Sequence, residues 1–535
     1  MDQREVLAVL TAKLRSGAIS RRQFLQAASF FGLGAAAVPM GAAAAPAPRA
    51  RGVRSMAQQA GEVRFLVAEA FWANWHPYLH TAQIQRRIEQ QIFDPLVRNE
   101  TTDFSTFSPG LAESWEALDE LTWEFKLRQG VTFHNGQPLT GADVKASVEL
   151  ASGSTAEEVS TASVLVPTTV EVVDDATVRL TTATPFAPLL IQLATLPILS
   201  ADDIKPSADP ATPSAGIEAL KAAPNGTGPF RLVQDDGDTK TMEANPDYWG
   251  GAPAIQTLIW EYIQDSQTRL NALLAGQAQA IDRVPPEHFA VLEETPEVAM
   301  VSTTGLEVVS LLIRQDAPPP WDDPRLRQAV AWSIDRQALV ENLVGGGSEV
   351  AGSHVPNRAI YAVPQEPVYT FDPERAKALL ASASFEGEGP EIELWGTTGF
   401  LPRSKEVVEA IADSLQQNGF PVQLTLTDVA GIVDALAAKR GLMYHLSWSS
   451  NGDPHDAVNF IYHSSPDNVL GFNDPTNDEL IERGAATTDA EARADVYAAL
   501  QDHLWQNVMN LPLYNSDFTI AHVTGLSGIT VLRTS

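Results

Sequence analysis

Trp123-Glu124-Phe125-Lys126-Leu127-Arg128-Gln129-Gly130 runs directly into Val131-Thr132-Phe133-His134-Asn135-Gly136-Gln137-Pro138-Leu139-Thr140-Gly141-Ala142-Asp143-Val144. Trp123, Phe125 and Leu127 alternate with Glu124, Lys126 and Arg128, the period of a half-buried strand, and Gln129-Gly130 provides a turn. Gly136 lies in a second turn. Thr140 is then placed to cap a helix through Asp143, Val144 and Val148, because its side-chain oxygen can accept from the unpaired N–H groups of a first helical turn. The period thus changes from strand to helix within one stretch, which points to a mixed α/β chain.

The same alternation of periods extends outward. Val63 to Val67 is expected as a first strand. Ile84 to Phe93 has helical spacing and stops before Asp94-Pro95, where proline disfavours helix in the residue before it. Val170 to Leu180 is expected as a hairpin turning at Asp174-Asp175, Phe230 to Val233 and Thr257 to Tyr262 as strands, and Asp265 to Ala275 as a helix closed by Gly276. One long amphipathic helix is expected from Leu326 to about Leu343, ending at Gly345-Gly346-Gly347. Two αβ units follow, Pro373 to Ala381 with Ile392 to Trp395, and Val407 to Gln417 with Val422 to Leu426. A late helix from Asp489 to Val508 precedes a strand from Leu511 to Tyr514. No fixed-period repeat is present, which argues against solenoids and propellers.

At the amino end, Ser20-Arg21-Arg22-Gln23-Phe24-Leu25 leads into a small-residue apolar stretch from Ala27 to Ala45, then Pro46-Ala47-Pro48. A basic start, an apolar middle and a small-residue exit are the parts of an export signal, and the arginine pair followed by Phe24-Leu25 resembles a twin-arginine signal. The stretch is short and rich in Ala and Gly for a membrane span. Cleavage is expected among Ala43 to Ala47. The chain has no cysteine, so it carries no disulfide, no Cys-zinc site and no lipid-anchoring Cys. The expected product is therefore free in the periplasm or secreted, with the periplasm as the expected location. A cut after Ala45 removes Arg4, Lys13, Arg15, Arg21 and Arg22 against Asp2 and Glu5, leaving 31 basic and 65 acidic residues and a net charge of −34. Such a surface repels phosphate backbones, so no nucleic-acid partner is expected. The 535-residue chain exceeds one core, and two or three domains are expected.

Three sets of residues carry a family likeness. They are Ser108-Pro109-Gly110-Leu111-Ala112-Glu113-Ser114-Trp115-Glu116 with the Trp123 to Val144 stretch; Gly226-Thr227-Gly228-Pro229-Phe230 with Asn245-Pro246-Asp247-Tyr248-Trp249-Gly250-Gly251; and Asp323-Pro324-Arg325-Leu326-Arg327-Gln328-Ala329-Val330 with Ser333-Ile334-Asp335-Arg336. In this order they resemble family 5 of the bacterial extracellular solute-binding proteins, the dipeptide, oligopeptide and nickel-complex receptors of ABC importers. The resemblance implies a two-lobed periplasmic-binding-protein fold of the large, three-subdomain type, with a discontinuous first lobe and a hinged closure on ligand. The expected organisation is a signal at 1–45, a lead at 46–60, a first lobe at 61–312 with a subdomain at about 106–224, a second lobe at 313–510, and a return to the first lobe at 511–535. Crossovers are expected near Ser310 to Arg314 and Asn510 to Tyr514, with Pro318-Pro319-Pro320 as a stiff boundary. Most of the Gly, Pro and Trp in the motifs set turns and fill cores.

Ligand contacts are expected from aromatic walls and a few charged anchors. Leu446 to Pro454 resembles the family's second-lobe loop, where dipeptide and oligopeptide binders carry an Asp that pairs with the peptide α-ammonium. Ser450, or a one-residue deletion beside it, stands at that place, and Asp453 aligns with the later Asp of an Asn-Gly-Asp-Pro turn. The alternatives for Asp453 are a ligand anchor and a plain turn residue. Arg403 lies where some dipeptide binders place a carboxylate-binding Arg; its alternative is a solvated residue ahead of a helix. Trp395, Phe400 and Trp448 are expected to stack on ligand or fill core, and Trp72, Trp75 and His76 are further lining candidates. His76 with His80, and His455 with His463, have weak metal-binding potential. No Gly-x-Ser-x-Gly elbow, His-Glu-x-x-His helix, phosphate loop or dinucleotide fingerprint is present. The expectation is a non-catalytic, monomeric receptor without cofactor, which binds a peptide or peptide-like solute and docks to an inner-membrane permease. The alternatives are receptors for an oligosaccharide, an opine-like conjugate or a metal chelate, and an exported enzyme.

Overall fold

The computed structural model describes residues 61–71, 74–79, 83–100, 103–153, 165–205, 214–383, 389–398, 401–465 and 468–527. The export segment, Trp72, His80 and Phe400 lie outside these residues. Eleven strands of the described residues form one sheet. They are β1 (Glu62–Val67), β2 (Phe230–Asp235), β3 (Thr239–Ala244), β4 (Thr257–Tyr262), β5 (Ala280–Ile281), β6 (Val298–Ile313), β7 (Glu349–Val350), β8 (Ile392–Thr397), β9 (Val422–Thr427), β10 (Met443–Ser449) and β11 (Leu511–Val523). Their order is β9-β8-β10-β6-β11-β5-β1-β4-β3-β2, with β7 alongside β11. The helices that matter below are α1 (Gln83–Glu89), α2 (Gly141–Ala151), α3 (Leu189–Thr195), α4 (Pro324–Ser333), α5 (Arg336–Leu339), α6 (Ser404–Gln417), α7 (Pro454–Tyr462) and α8 (Ala490–Gln506).

Each half of the sheet has a parallel centre. β1 lies between β4 and β5, parallel to both, and β8 lies between β9 and β10 in the same way. Parallel neighbours need long crossovers, so these pairs draw helices over the sheet. Between the halves run the long strands β6 and β11, antiparallel to each other, with a register slip between Thr304 and Val308. β6 pairs with β10 from Glu307 to Ile313. β11 pairs with β5 at Ala521 and His522. Separate apolar cores cover the halves. One includes Phe65, Phe125, Val144 and Leu193, and the other includes Val309, Trp332, Leu394 and Val408.

The Trp123 to Val144 stretch behaves as its periods dictate. Strand Thr122–Leu127 sits in a separate four-stranded antiparallel sheet, with Phe125 fully buried. Thr140 caps α2, and Asp143 reaches back to the Thr140 N–H at 2.7 Å, a capping box with Asp in the acidic position. The expected helix from Leu326 to Leu343 is instead broken. α4 ends at Ser333, Ile334 is extended (φ −111°, ψ 120°), and Asp335 caps the short α5 through the Ala338 N–H. The break places the buried Arg336 guanidinium against the carbonyls of Tyr369, Ala351 and Pro512, contacts a continuous amphipathic helix would not reveal. β11 continues well beyond the expected Tyr514. No helix of the described residues is long and apolar enough to cross a membrane.

Asp94, buried after α1, gathers the scattered motif residues. Its oxygens accept from Thr227 Oγ1 at 3.0 Å, Trp249 Nε1 at 2.8 Å, Arg98 Nη2 at 2.8 Å and Tyr248 Oη at 3.1 Å. The Gly226 to Phe230 loop lies flat on the chain before Asp94, with Gly228 N donating to Ile92 O and Phe230 N to Gln91 O. A Cβ on Gly226 would stand 1.9 Å from Ile92 O. Gly226→Ala is expected to lower stability by about 1–3 kcal/mol, the usual range for forced overpacking. Urea unfolding with an unchanged slope and a lower midpoint is the measurement that checks it.

Candidate functional site

In open α/β sheets, ligands settle outside the carboxyl ends of parallel strands. Register fixes where those ends point here. Leu66 of β1 pairs with Ile281, Ile281 with Ala521, and Ala521 with Met300, so β1 and β5 run toward higher residue numbers along β6. Ser449, the last residue of β10, pairs with Glu307, and β10 runs toward lower numbers. The carboxyl ends of the two halves therefore face each other across Ser302 to Glu307. Glu69, Asp282 and Arg283 follow the strands of the first half; Thr398, Arg403 and Ser450 to Asp453 follow those of the second.

The first rim is a charged array. Arg283 is ion-paired with Glu69 and lies 3.9 Å from Glu307. Arg87 of α1 pairs with Asp282 at 3.0 Å, and the other Asp282 oxygen accepts from Ala68 N. Both guanidiniums lie over the Phe518 ring, at 4.8 Å for Arg87 and 5.4 Å for Arg283. Burial alone would raise the Glu69 carboxyl, but Arg283 and Arg87 outweigh it and hold it below the ordinary carboxylate value. Burial opposes the charge on Arg283 too, yet Glu69, Glu307 and Asp282 push its pKa upward. Arg283 also holds a left-handed backbone, φ 43°, a conformation that a non-glycine residue keeps only when its surroundings enforce it. Glu307 accepts from Ser447 Oγ of β10 at 2.7 Å, tying the array to the second half.

In the second rim, Trp448, Ser450 and Asp453 come together, but the loop uses its own polar groups. The buried Ser450 hydroxyl accepts from Gly452 N at 3.0 Å and donates to Asp453 O at 2.7 Å. Asp453 caps α7 through the His455 N–H and takes a bidentate pair from Arg493 of α8, at 2.6 and 2.9 Å. Both of its oxygens are thus engaged inside the lobe, which is the turn-forming alternative for this residue. Trp448 is partly buried, and its indole N–H has no acceptor. Trp395 lies on β8 against Arg440, 5.6 Å from the ring, and against Gly441. Arg403, at φ 52°, precedes α6 and faces Glu287 of the first half at 3.7 Å, with both side chains nearly half exposed. Trp75 is buried, donating to Asp235, and the His76 ring accepts from the Tyr78 N–H. No group of three or more His, Cys, Asp or Glu side chains suited to a metal ion occurs among the described residues. Sequence reasoning missed Glu69, Arg87, Arg283 and Glu307. The available signals were Arg87 beside the apolar face of a helix and Arg283 just before Pro285-Pro286.

The halves also touch away from the rims. Asp456 of α7 accepts from Gln192 of α3 in the first half and from Asn451 Nδ2 at 2.5 Å. Arg86 of α1 faces it, with Asp453 and Arg493 behind. Burial, then the Asp453 charge, push the Asp456 carboxyl up to about 7. His455 meets the Phe186 ring edge-on across the same contact at 5.5 Å, and burial lowers it to about 4.

The two halves of the eleven-stranded sheet, their separate cores and the facing carboxyl-end rims are those of a two-lobed solute-binding protein. The family model for bacterial extracellular solute-binding proteins, family 5, matches residues 106–469, and the chain belongs to that family. Its members are periplasmic or extracellular solute receptors, not enzymes. The glutathione-binding protein GsiB of Pectobacterium atrosepticum is 29% identical over 444 residues, covering 79% of this chain and 83% of its own. The dipeptide-binding protein of Pseudoalteromonas sp. SM9913, solved with Met-Leu, superposes with a TM-score of 0.78 at 20% identity, covering 89% of this chain and 98% of its own. The binding protein AgaA of A. tumefaciens R10, solved with agropinic acid, gives a TM-score of 0.74 at 26% identity, covering 88% and 95%.

Breaking the Asp453–Arg493 pair strands a buried charge, so Arg493→Leu is expected to cost about 3–5 kcal/mol in a denaturant titration. The Asp456 and His455 contacts titrate in opposite senses. A folded contact that raises Asp456 from 3.8 to about 7 is weakened as pH rises through that window. One that lowers His455 from 6.5 to about 4 is weakened as pH falls through its own. Their joint contribution to folding stability is therefore expected to be nearly flat between these limits. Asp456→Asn should make stability fall toward acid, and His455→Gln should make it rise. Urea titrations from pH 5 to 7 check both slopes.

Proposed function

We propose that this chain is the solute receptor of an ABC importer, which captures a short peptide or peptide-like solute between its lobes by hinge closure and delivers it to an inner-membrane permease. The observation that carries this reading is the meeting of the two rims across Ser302 to Glu307, in a chain that aligns with a glutathione-binding protein along 79% of its length. The acting form is a periplasmic monomer, exported by the twin-arginine route through Arg21-Arg22 and cut among Ala43 to Ala47. Its lobes are residues 61–312 and 511–535, with a subdomain at about 106–224, and residues 313–510. Trp448 offers a free indole N–H to the solute. Arg403 exchanges its exposed partner Glu287 for an anionic group. Trp395, Ser450 and Asp453 shape the second rim, and Phe400, outside the described residues, is a further candidate for stacking on the solute.

A second reading, an opine-like conjugate, draws on the 26% identity to the agropinic-acid receptor. It also draws on the engagement of Ser450 and Asp453 within their own loop, which leaves the rim without the family's ammonium anchor. The test is native mass spectrometry of what co-purifies with the mature protein, followed by scattering with the identified solute. Short peptides or glutathione that compact the protein are the expected result. An opine establishes the second reading, and a sugar or metal chelate overturns both.

A further inference from the structure

Glu69, Arg87, Arg283 and Glu307 lie where the first half's parallel strands end, and each keeps about a tenth to a fifth of its side-chain surface open. Their charges alternate in sign along Glu69, Arg283 and Glu307, with the Arg87–Asp282 pair beside them. This array is incompletely satisfied. Nε and Nη2 of Arg87 and Nε of Arg283 are buried and have no acceptor, although the Arg87 side chain is only 10% exposed. Buried guanidinium N–H groups without acceptors are expensive, and each calls for an acceptor. Glu307 is the complementary group: one oxygen is held by Ser447, and the other stands 3.9 Å from Arg283, a loose separation for an ion pair. The Phe518 ring gives both guanidiniums a flat apolar support.

We infer that this array is an amino-acid subsite, with Arg87 and Arg283 receiving the α-carboxylate and Glu307 and Glu69 the α-ammonium of one zwitterionic carbon. The preferred solute is then a γ-linked peptide or another conjugate that keeps a free amino-acid end. The inference rests on the receptor reading above. Glu69, Glu307 and Asp282 balance Arg87, Arg283 and Arg269, whose guanidinium donates to the Asp282 and Arg283 carbonyls, so a lone carboxylate would leave the cluster net negative, whereas a zwitterion adds no net charge. A lone ammonium, as at the start of an α-linked peptide, would leave the arginine N–H groups unfilled. The location also replaces what the second rim lacks, since Ser450 and Asp453 are taken up by their own loop.

Glutathione and its α-linked isomer Glu-Cys-Gly, both with the thiol methylated, have one composition and differ in whether a zwitterionic end exists. Calorimetry on the mature protein is expected to give at least about tenfold tighter binding of the γ-linked isomer, the scale of charge-assisted hydrogen bonds. Glu307→Gln should reduce that preference to below about threefold, the loss of one such contact, at an unchanged thermal midpoint, and Arg87→Gln should reduce it likewise with a lower midpoint, because it strands the buried Asp282. Arg283→Lys, which keeps the charge but not the fork, should do the same should Arg87→Gln fail to fold. Equal binding of the isomers, or a preference that survives the variants, overturns the subsite and leaves the receptor reading in place. Binding of neither, with a co-purified sugar or metal chelate instead, overturns the receptor reading and the subsite with it.

Discussion

The pairing of β6 with β11 is the constraint on which the architecture depends. Both strands enter both halves of the sheet, and they are hydrogen-bonded to each other for most of their length. Two adjacent crossings restrict relative motion far more than one flexible linker would, because a twist in one strand must be matched in its neighbour. The regular ladder is interrupted between Thr304 and Val308, at the level where the carboxyl ends of the two halves face each other. A ladder missing its regular bonds at one level bends there at the least cost in hydrogen bonding. The slip lies at the level of the facing rims, and Glu307, which borders it, joins Arg283 of one half to Ser447 of the other.

Buried charge marks out the parts of the molecule that must keep one shape. Asp94 holds four donors from three stretches of chain, and Asp453 is clamped by Arg493. Arg336 is satisfied by backbone carbonyls from three places. Each of these groups is fully served, as a desolvated charge requires. Arg87 and Arg283 break the pattern, with buried N–H groups that lack acceptors. Arg231 and Arg269 each leave one Nε in the same condition, whereas Arg87 leaves two of its nitrogens without an acceptor beside the facing rims.

Much of the frame was legible in the sequence because apolar periodicity and capping residues are local. The strand at Trp123, the Thr140 cap and the two αβ units before β8 and β9 follow from spacing alone. The long helix from Leu326 was not legible as broken. Its interruption at Ile334 depends on carbonyls that distant segments present to Arg336, and β11 runs beyond Tyr514 because β5 and β6 pair with it there. The site was less legible than the fold for the same reason. An arginine in a sequence looks like a solvated residue, and only the topology shows that Arg87 and Arg283 converge on one phenylalanine ring.

The second-rim loop spends its polar groups on its own frame. Ser450 and Asp453 preserve the turn into α7, which positions Trp448 beside the crossing strand through its pairing with Val308. Their polar atoms are then unavailable to an ammonium group. A solute amine needs an acceptor somewhere in a desolvated cleft, since leaving it unpaired there would forfeit more than its hydration in water. Among the charged groups around Ser302 to Glu307, the loosely paired Glu307 has an oxygen not taken by Ser447. Moving recognition from a loop of the second half to the crossing strand also changes what closure senses. An anchor on Glu307 touches the level at which the halves bend, so occupancy and closure act on the same few residues rather than on opposite ends of the cleft.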